Sequence, residues 1–200
     1  MHYSIQYPYE LAPVADCSPF NDISSTGTEL FLALDDASEE ISFGRNFTFY
    51  TYPKDRVFLS TNGYLSFLPN TDGTNFSPDP IPSTTDPNNF IAPFWTDLYP
   101  PDGGSIYYQI TATEFIAQWS DIPHISFPQL NNTFQVSLSF DTGAIELRYD
   151  GVTDDGGTVT IGVENEDGRR GLSFPILTDF ILSGSVTCVR INNLFVSGQP

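Results

Sequence analysis

The sequence predicts an all-β protein: a two-sheet antiparallel β-sandwich, jelly-roll-like, of about ten to twelve strands with an extended N-terminal arm. Three observations point there. Apolar residues recur at every second position over short runs, and the 3.6-residue period of a helix is nearly absent. Gly, Pro, Asn and Asp punctuate those runs as turn formers. The apolar residues are of strand type, with 17 Phe, 10 Tyr and 2 Trp beside 1 Met, so the expected core is aromatic and β-branched.

The elements are taken in chain order. From Tyr3 to Leu11 the alternation is unbroken: Tyr3, Ile5, Tyr7, Tyr9 and Leu11 share one face, and Ser4, Gln6, Pro8 and Glu10 the other. Residues 1–16 are expected to form the arm and 17–200 a single sandwich domain. Pro8 has no N–H to donate, which sends the arm to a sheet edge. In Asn46–Tyr52, Phe47 and Phe49 fall on one face and Asn46, Thr48 and Tyr50 on the other. Asn62-Gly63 is a turn dipeptide able to take positive φ. Pro69–Asn89 breaks the rhythm with Pro69, Pro78, Pro80, Pro82 and Pro87, and reads as a long ordered loop. The strand signal resumes at Phe90. Pro93, inside that apolar run, marks an edge or a bulge. Phe94, Trp95 and Trp119 are large enough to anchor the space between sheets. Ser105–Ile110 and Glu114–Asp121 read as a hairpin crossing at Thr111–Thr113. A second hairpin sets Phe134, Val136, Leu138 and Phe140 before Asp141-Thr142-Gly143, and Ile145, Leu147 and Tyr149 after it. Val159, Ile161 and Val163 give a further inward row.

Charge narrows the function classes. Twenty-five acidic residues face 7 basic ones, for a net charge of −18. Charge of that sign repels nucleic-acid phosphates and anionic headgroups, so neither nucleic acid nor membrane insertion is expected. No apolar run reaches transmembrane length. Met1 leads into a Tyr-rich segment without a basic start or an apolar stretch, so no signal peptide is read, and an exported chain would be a mature or trimmed form.

Three phrases carry a family resemblance: Val57–Phe67, Asn89–Leu98 and Thr158–Asp167. Around them lie Asp22–Thr28, Asp35-Asp36, Phe47–Tyr50, Ile81–Thr84, Gly103–Tyr108, Phe115–Trp119 and Thr133–Val136, in an order and spacing that span Asp22 to Arg190. Together they resemble the nidogen-type (NIDO-like) extracellular β-domain of secreted and cell-surface microbial proteins. The resemblance implies an extracellular or cell-surface scaffold or adhesion module, and brings no catalytic residue with it.

Candidate sites are few. Cys17 and Cys188 flank the domain and lie in no C-x-x-C motif. A disulfide between them would tie both ends to the sandwich, worth roughly 5 kcal/mol at most by the loop-entropy model. The alternative is two buried thiols. Sequons at Asn46, Asn75 and Asn131 make candidate glycosylation sites, Asn75 the least attractive because Pro78 comes directly after its Ser77. No cofactor is expected. Structural Ca2+ is compatible with the oxygen-rich clusters Asp35-Asp36, Asn70–Gly73, Asp97 with Asp102, Asp154-Asp155 and Glu164–Asp167, and solvated turns explain the same residues. The histidines are His2 in the arm and His124 beside Pro123 in an expected loop. No Ser–His–Asp order, H-E-x-x-H, Walker loop or G-x-S-x-G is present, so no enzyme is expected.

The functional expectation is a non-enzymatic extracellular structural or adhesive β-sandwich. Two placements of the arm are open: Tyr3, Ile5, Tyr7, Tyr9 and Leu11 fold back onto their own sandwich, or they form an assembly arm that adds a β-strand to a neighbouring subunit and makes the chain the repeating unit of a surface fibre or pilus-like homopolymer. Surface glycans and other extracellular proteins are further candidate partners. The competing reading is a carbohydrate- or peptide-binding module using aromatics in Pro69–Asn89 and around Tyr99–Pro101.

Overall fold

The computed structural model describes residues 9–12, 16–32, 34–68, 75–153, 155–174, 179, 181–182, 184 and 186–194. Thirteen strands succeed one another: β1 (Tyr9–Leu11), β2 (Thr28–Leu30), β3 (Ser38–Phe49), β4 (Tyr52–Ser60), β5 (Leu65–Ser66), β6 (Phe90–Trp95), β7 (Ser105–Ile110), β8 (Glu114–His124), β9 (Phe127–Ser139), β10 (Ile145–Gly151), β11 (Thr160–Glu164), β12 (Gly171–Ser173) and β13 (Cys188–Asn193). They form two sheets, in the order β1-β13-β10-β9-β8-β7-β2 and β12-β11-β6-β5-β4-β3. Every pairing is antiparallel. The count exceeds the expected range because strands as short as β5 and β12 carry no alternation to read.

The main core lies where the two sheets face each other. Phe115, Ala117 and Trp119 of β8, Phe134, Val136 and Leu138 of β9, and Ile145, Leu147 and Tyr149 of β10 meet Phe47, Phe49, Val57, Leu59, Ile91 and Phe94. Trp119 stacks on Phe134 at 4.8 Å and donates its indole N–H to the Ser60 carbonyl at 3.0 Å. Both expected hairpins form, β7–β8 and β9–β10, the second with Gly143 at φ 65°. At the Asn62-Gly63 turn, Gly63 takes φ +77°, and a Cβ there would stand 2.1 Å from the Phe94 carbonyl oxygen. Only glycine fits.

A smaller aromatic cluster joins Tyr64, Ile81, Phe90, Ala92 and Trp95, beneath the proline-rich segment. Trp95 therefore departs from expectation: it is buried, yet it packs apart from the inter-sheet core, and its indole N–H donates to the Asn75 carbonyl at 2.9 Å. Pro93 is the cause. Between the pairs Trp95–Thr160 and Ala92–Gly162, β6 spends one residue more than β11, a bulge that reverses the facing of the side chains beyond it. Phe94 turns inward and Trp95 outward. Tyr50 is a second departure, expected outside and found buried at φ 53° beyond the end of β3.

The outer face of the seven-stranded sheet is covered by the chain from Asp16 to Gly27. Buried Gln118 accepts from the Ile23 N–H at 2.9 Å, buried Gln135 from Asn21 at 3.4 Å, and Glu146 from Ser18 at 3.3 Å. Cys17 and Cys188 form a disulfide with a Cα–Cα distance of 6.1 Å, pinning this covering segment to β13.

Candidate functional site

The arm is described only at its end. Tyr3, Ile5 and Tyr7 lie outside the described residues; Tyr9–Leu11 form β1, the outermost strand of the larger sheet, in register with Ile191–Asn193 of the same chain. Tyr9 is 5% exposed. Its ring packs on Phe49 at 5.8 Å and Tyr50 at 5.0 Å, and its hydroxyl accepts from the Tyr50 N–H at 3.0 Å. Burial pushes the Tyr9 hydroxyl far above its ordinary pKa. Leu11 shares that face by parity but is 47% exposed, because β1 ends where the core does. Beside Tyr9 a cavity of about 280 Å³ is walled by Tyr50, Pro82, Arg169, Arg170 and Leu172.

A second constellation gathers acidic groups that the sequence scatters. Asp35 and Asp36 sit in the turn between β2 and β3, and Asp97 just after β6. One carboxylate oxygen from each lies within 4.8 Å of the others. Thr61 and Asn62 hold this geometry. Thr61 Oγ1 accepts from the Ala37 N–H at 3.0 Å; Asn62 Nδ2 donates to Asp36 Oδ1 at 2.8 Å, while Asn62 Oδ1 accepts from the Leu98 N–H at 3.0 Å. Burial, and then the charges of Asp36, Asp35 and Asp155, push the Asp97 carboxyl up to about 6. Asp155 comes from the β10–β11 connection. Asp102, grouped with Asp97 on sequence grounds, is not part of this cluster.

His124 closes the same neighbourhood from the end of β8, a strand rather than the expected loop, with its side chain fully buried. Nε2 stands 3.0 Å from the Thr153 carbonyl, which can only accept, so Nε2 carries a proton. Nδ1 faces Asp155 Oδ2 at 3.4 Å. Nε2 is thus committed to the Thr153 carbonyl, while the shielded Nδ1 makes no hydrogen bond among the described residues. His2 lies outside the described residues.

The remaining candidates separate cleanly. Asn46, within β3, and Asn131, within β9, are exposed, as a glycan requires. Asn75 is half-buried and donates through Nδ2 to the Asp86 carbonyl at 3.0 Å, which occupies the nitrogen a glycan would need. Asn70–Gly73 and Asp154 lie outside the described residues. Glu164 is buried and pins the proline-rich segment by accepting from the Ser83 N–H at 2.6 Å; burial, and secondarily Asp79, push its carboxyl up to about 7. A polar cleft of about 590 Å³, which sequence reasoning missed, opens among Phe20, Asp22, Tyr107, Gln118, Asp121 and Asp150. Its parts lie far apart in sequence, and no local pattern announces it. No helix among the described residues is long and apolar enough to cross a membrane.

An aromatic antiparallel sandwich with its first strand laid along one edge and a disulfide across its ends is the architecture of a structural β-module. The chain belongs to the NIDO-related family, whose profile matches residues 9–187. It is similar to mouse and human alpha-tectorin, 28% identical to each over 193 aligned residues, which cover 79% of this chain and 9% of the relative. No solved structure matches it significantly. The family expected from the sequence motifs is the one found. The match begins at residue 9, so β1 belongs to the family domain rather than to an appendage outside it.

Proposed function

We propose that the chain is a non-catalytic structural module of an extracellular protein and that it associates with further copies through its N-terminal strand. Family membership supports the structural role. The Cys17–Cys188 disulfide supports an oxidising, extracellular setting. The buried histidine commits Nε2 to an internal contact, as a scaffold does.

The observation that carries self-association is the construction of the β1 edge. β1 contributes three ladder positions and a single ring, Tyr9, to a site that its own disulfide fixes independently at Cys17. An arm from a second copy can therefore take the place of β1 while both domains stay intact, giving dimers by exchange or fibres by open-ended addition. The apolar residues that alternate in the sequence, Tyr3, Ile5, Tyr7, Tyr9 and Leu11, are the proposed donor. Deletion of residues 2–12 tests it, with light scattering and electron microscopy as readouts. The expected result is that the full chain forms oligomers or filaments and the deletion does not, while the deleted domain binds the free peptide. A full-length chain that stays monomeric at high concentration, or a deletion that assembles normally, refutes the assembly reading.

A further inference from the structure

We propose that Asp35, Asp36 and Asp97 bind one Ca2+ ion that locks the β2–β3 turn onto the segment after β6. The three carboxylates approach within 4.8 Å of one another. Oxygens bound to one Ca2+ at roughly 2.3–2.6 Å stand at most roughly 4.6–5.2 Å apart, so the three carboxylates are near enough to converge on a single ion with a small side-chain adjustment. An all-oxygen, all-carboxylate set is hard-donor chemistry and favours Ca2+ over the softer transition metals.

Proximity of acids is not by itself a site, and two further observations point to a missing cation. Asp97 Oδ1 is wholly shielded from solvent and has no hydrogen-bond partner among the described residues. A shielded carboxylate oxygen without a donor is costly to leave unanswered, and a bound ion is one of the few remedies. The described ion pairs commit Lys54, Arg56, Arg148 and Arg190 to Glu166, to Glu40 and Asp55, to Glu114 and Glu146, and to Glu146, and none goes to this cluster. The second observation is His124. With Nε2 turned to the Thr153 carbonyl, the fully buried Nδ1 stands 3.4 Å from Asp155 Oδ2 and makes no hydrogen bond among the described residues, a second shielded polar atom in this neighbourhood. Among the described residues no ion pair reaches Asp35, Asp36 or Asp97, and Thr61 and Asn62, both fully buried, fix the turn and the strand end in the same place.

The inference does not depend on self-association. It is tested on the whole chain, stripped with chelator and titrated calorimetrically with CaCl2 in about 0.15 M NaCl, where diffuse attraction to a −18 protein is screened. One saturable site is expected. Asp97→Asn and Asp36→Asn, which keep side-chain shape, are each expected to weaken it at least tenfold, whereas Asp141→Asn, in an exposed turn, leaves it unchanged. Mg2+ is expected to bind at least tenfold more weakly. Circular dichroism of each variant confirms the sandwich. Absence of saturable heat up to about 10 mM CaCl2, well beyond the range of the weakest extracellular modules, overturns the proposal. Asp97→Asn binding like wild type overturns it too. Equal Mg2+ affinity overturns the choice of ion.

Discussion

Glu146 and Asp97 are both carboxylates drawn out of bulk water, and the fold serves them in opposite ways. Glu146 lies on the outer face of the larger sheet beneath the covering segment. It receives Arg148 at 2.6 Å, Arg190, and the Ser18 N–H at 3.3 Å. Burial pushes its carboxyl up, but the hydrogen bonds and charge of Arg148, with Ser18 and Arg190, outweigh it and hold the group below its ordinary value. Asp97 is less deeply buried, but the charges acting on it are those of Asp36, Asp35 and Asp155, and its carboxyl rises to about 6. In this chain, poor in basic residues, the carboxylate of Glu146 receives two guanidinium groups, while among the described residues Asp97 receives none. A cluster left without one is then a place for an ion supplied from solution.

The largest expected effect comes from breaking the satisfied site. Arg148→Ala leaves Glu146 buried with one partner fewer, and denaturant titration should show a loss of about 3–5 kcal/mol. A loss under about 1 kcal/mol would mean that water reaches Glu146 and that the contrast with Asp97 is overstated. Trp119→Ala, in the inter-sheet core, is expected to cost about 3–5 kcal/mol, and Trp95→Ala about 3 kcal/mol, since the cluster beneath the proline-rich segment can partly collapse. Limited proteolysis separates them: only the Trp95 variant should gain cleavage within residues 75–89, because only that side chain is bonded to Asn75.

A smaller effect sharpens the same comparison at Glu164. Its folded-state carboxyl sits at about 7, above the ordinary 4.5, so the folded protein holds this proton more tightly than the unfolded chain. That contribution to stability is complete below about 4.5 and is lost as pH rises to about 7. Glu164→Gln retains an oxygen for the Ser83 N–H and should flatten the decline across that window. A pH profile of the unfolding midpoint identical to wild type would show that Glu164 is solvated.

Much of the fold is legible in the sequence because alternation within a strand reports which side chains go inside. Phe134, Val136, Leu138, Ile145 and Leu147 are all inward and fully buried. Alternation fails where the backbone adds a residue or leaves the strand. Pro93 announces a bulge, but its consequence for Trp95 depends on the pairing with β11, which is not local. Tyr50 keeps the parity of β3 until the chain turns at positive φ and sends it back inside. Alternation sets Gln118, Gln135 and Glu146 opposite the core-facing row, and nothing local shows that they are buried, because their cover, residues 16–27, carries no strand pattern. The acidic cluster illustrates the same limit. Asp35-Asp36 and Asp97 are visible as separate oxygen-rich turns, but only the sandwich topology brings them together.

The most direct test of the contrast between a satisfied and an unanswered carboxylate is thermal unfolding of wild type and Asp97→Asn at pH 7.4, each in chelator and in CaCl2. In chelator, Asp97→Asn should unfold at the higher temperature, because it removes an uncompensated charge worth about 1 kcal/mol after allowance for solvent screening. Calcium should then raise the wild-type midpoint past that of the variant and leave the variant nearly unmoved. If Asp97→Asn is the less stable protein in chelator and calcium shifts neither midpoint, Asp97 is already satisfied within the fold and the account of this site is wrong.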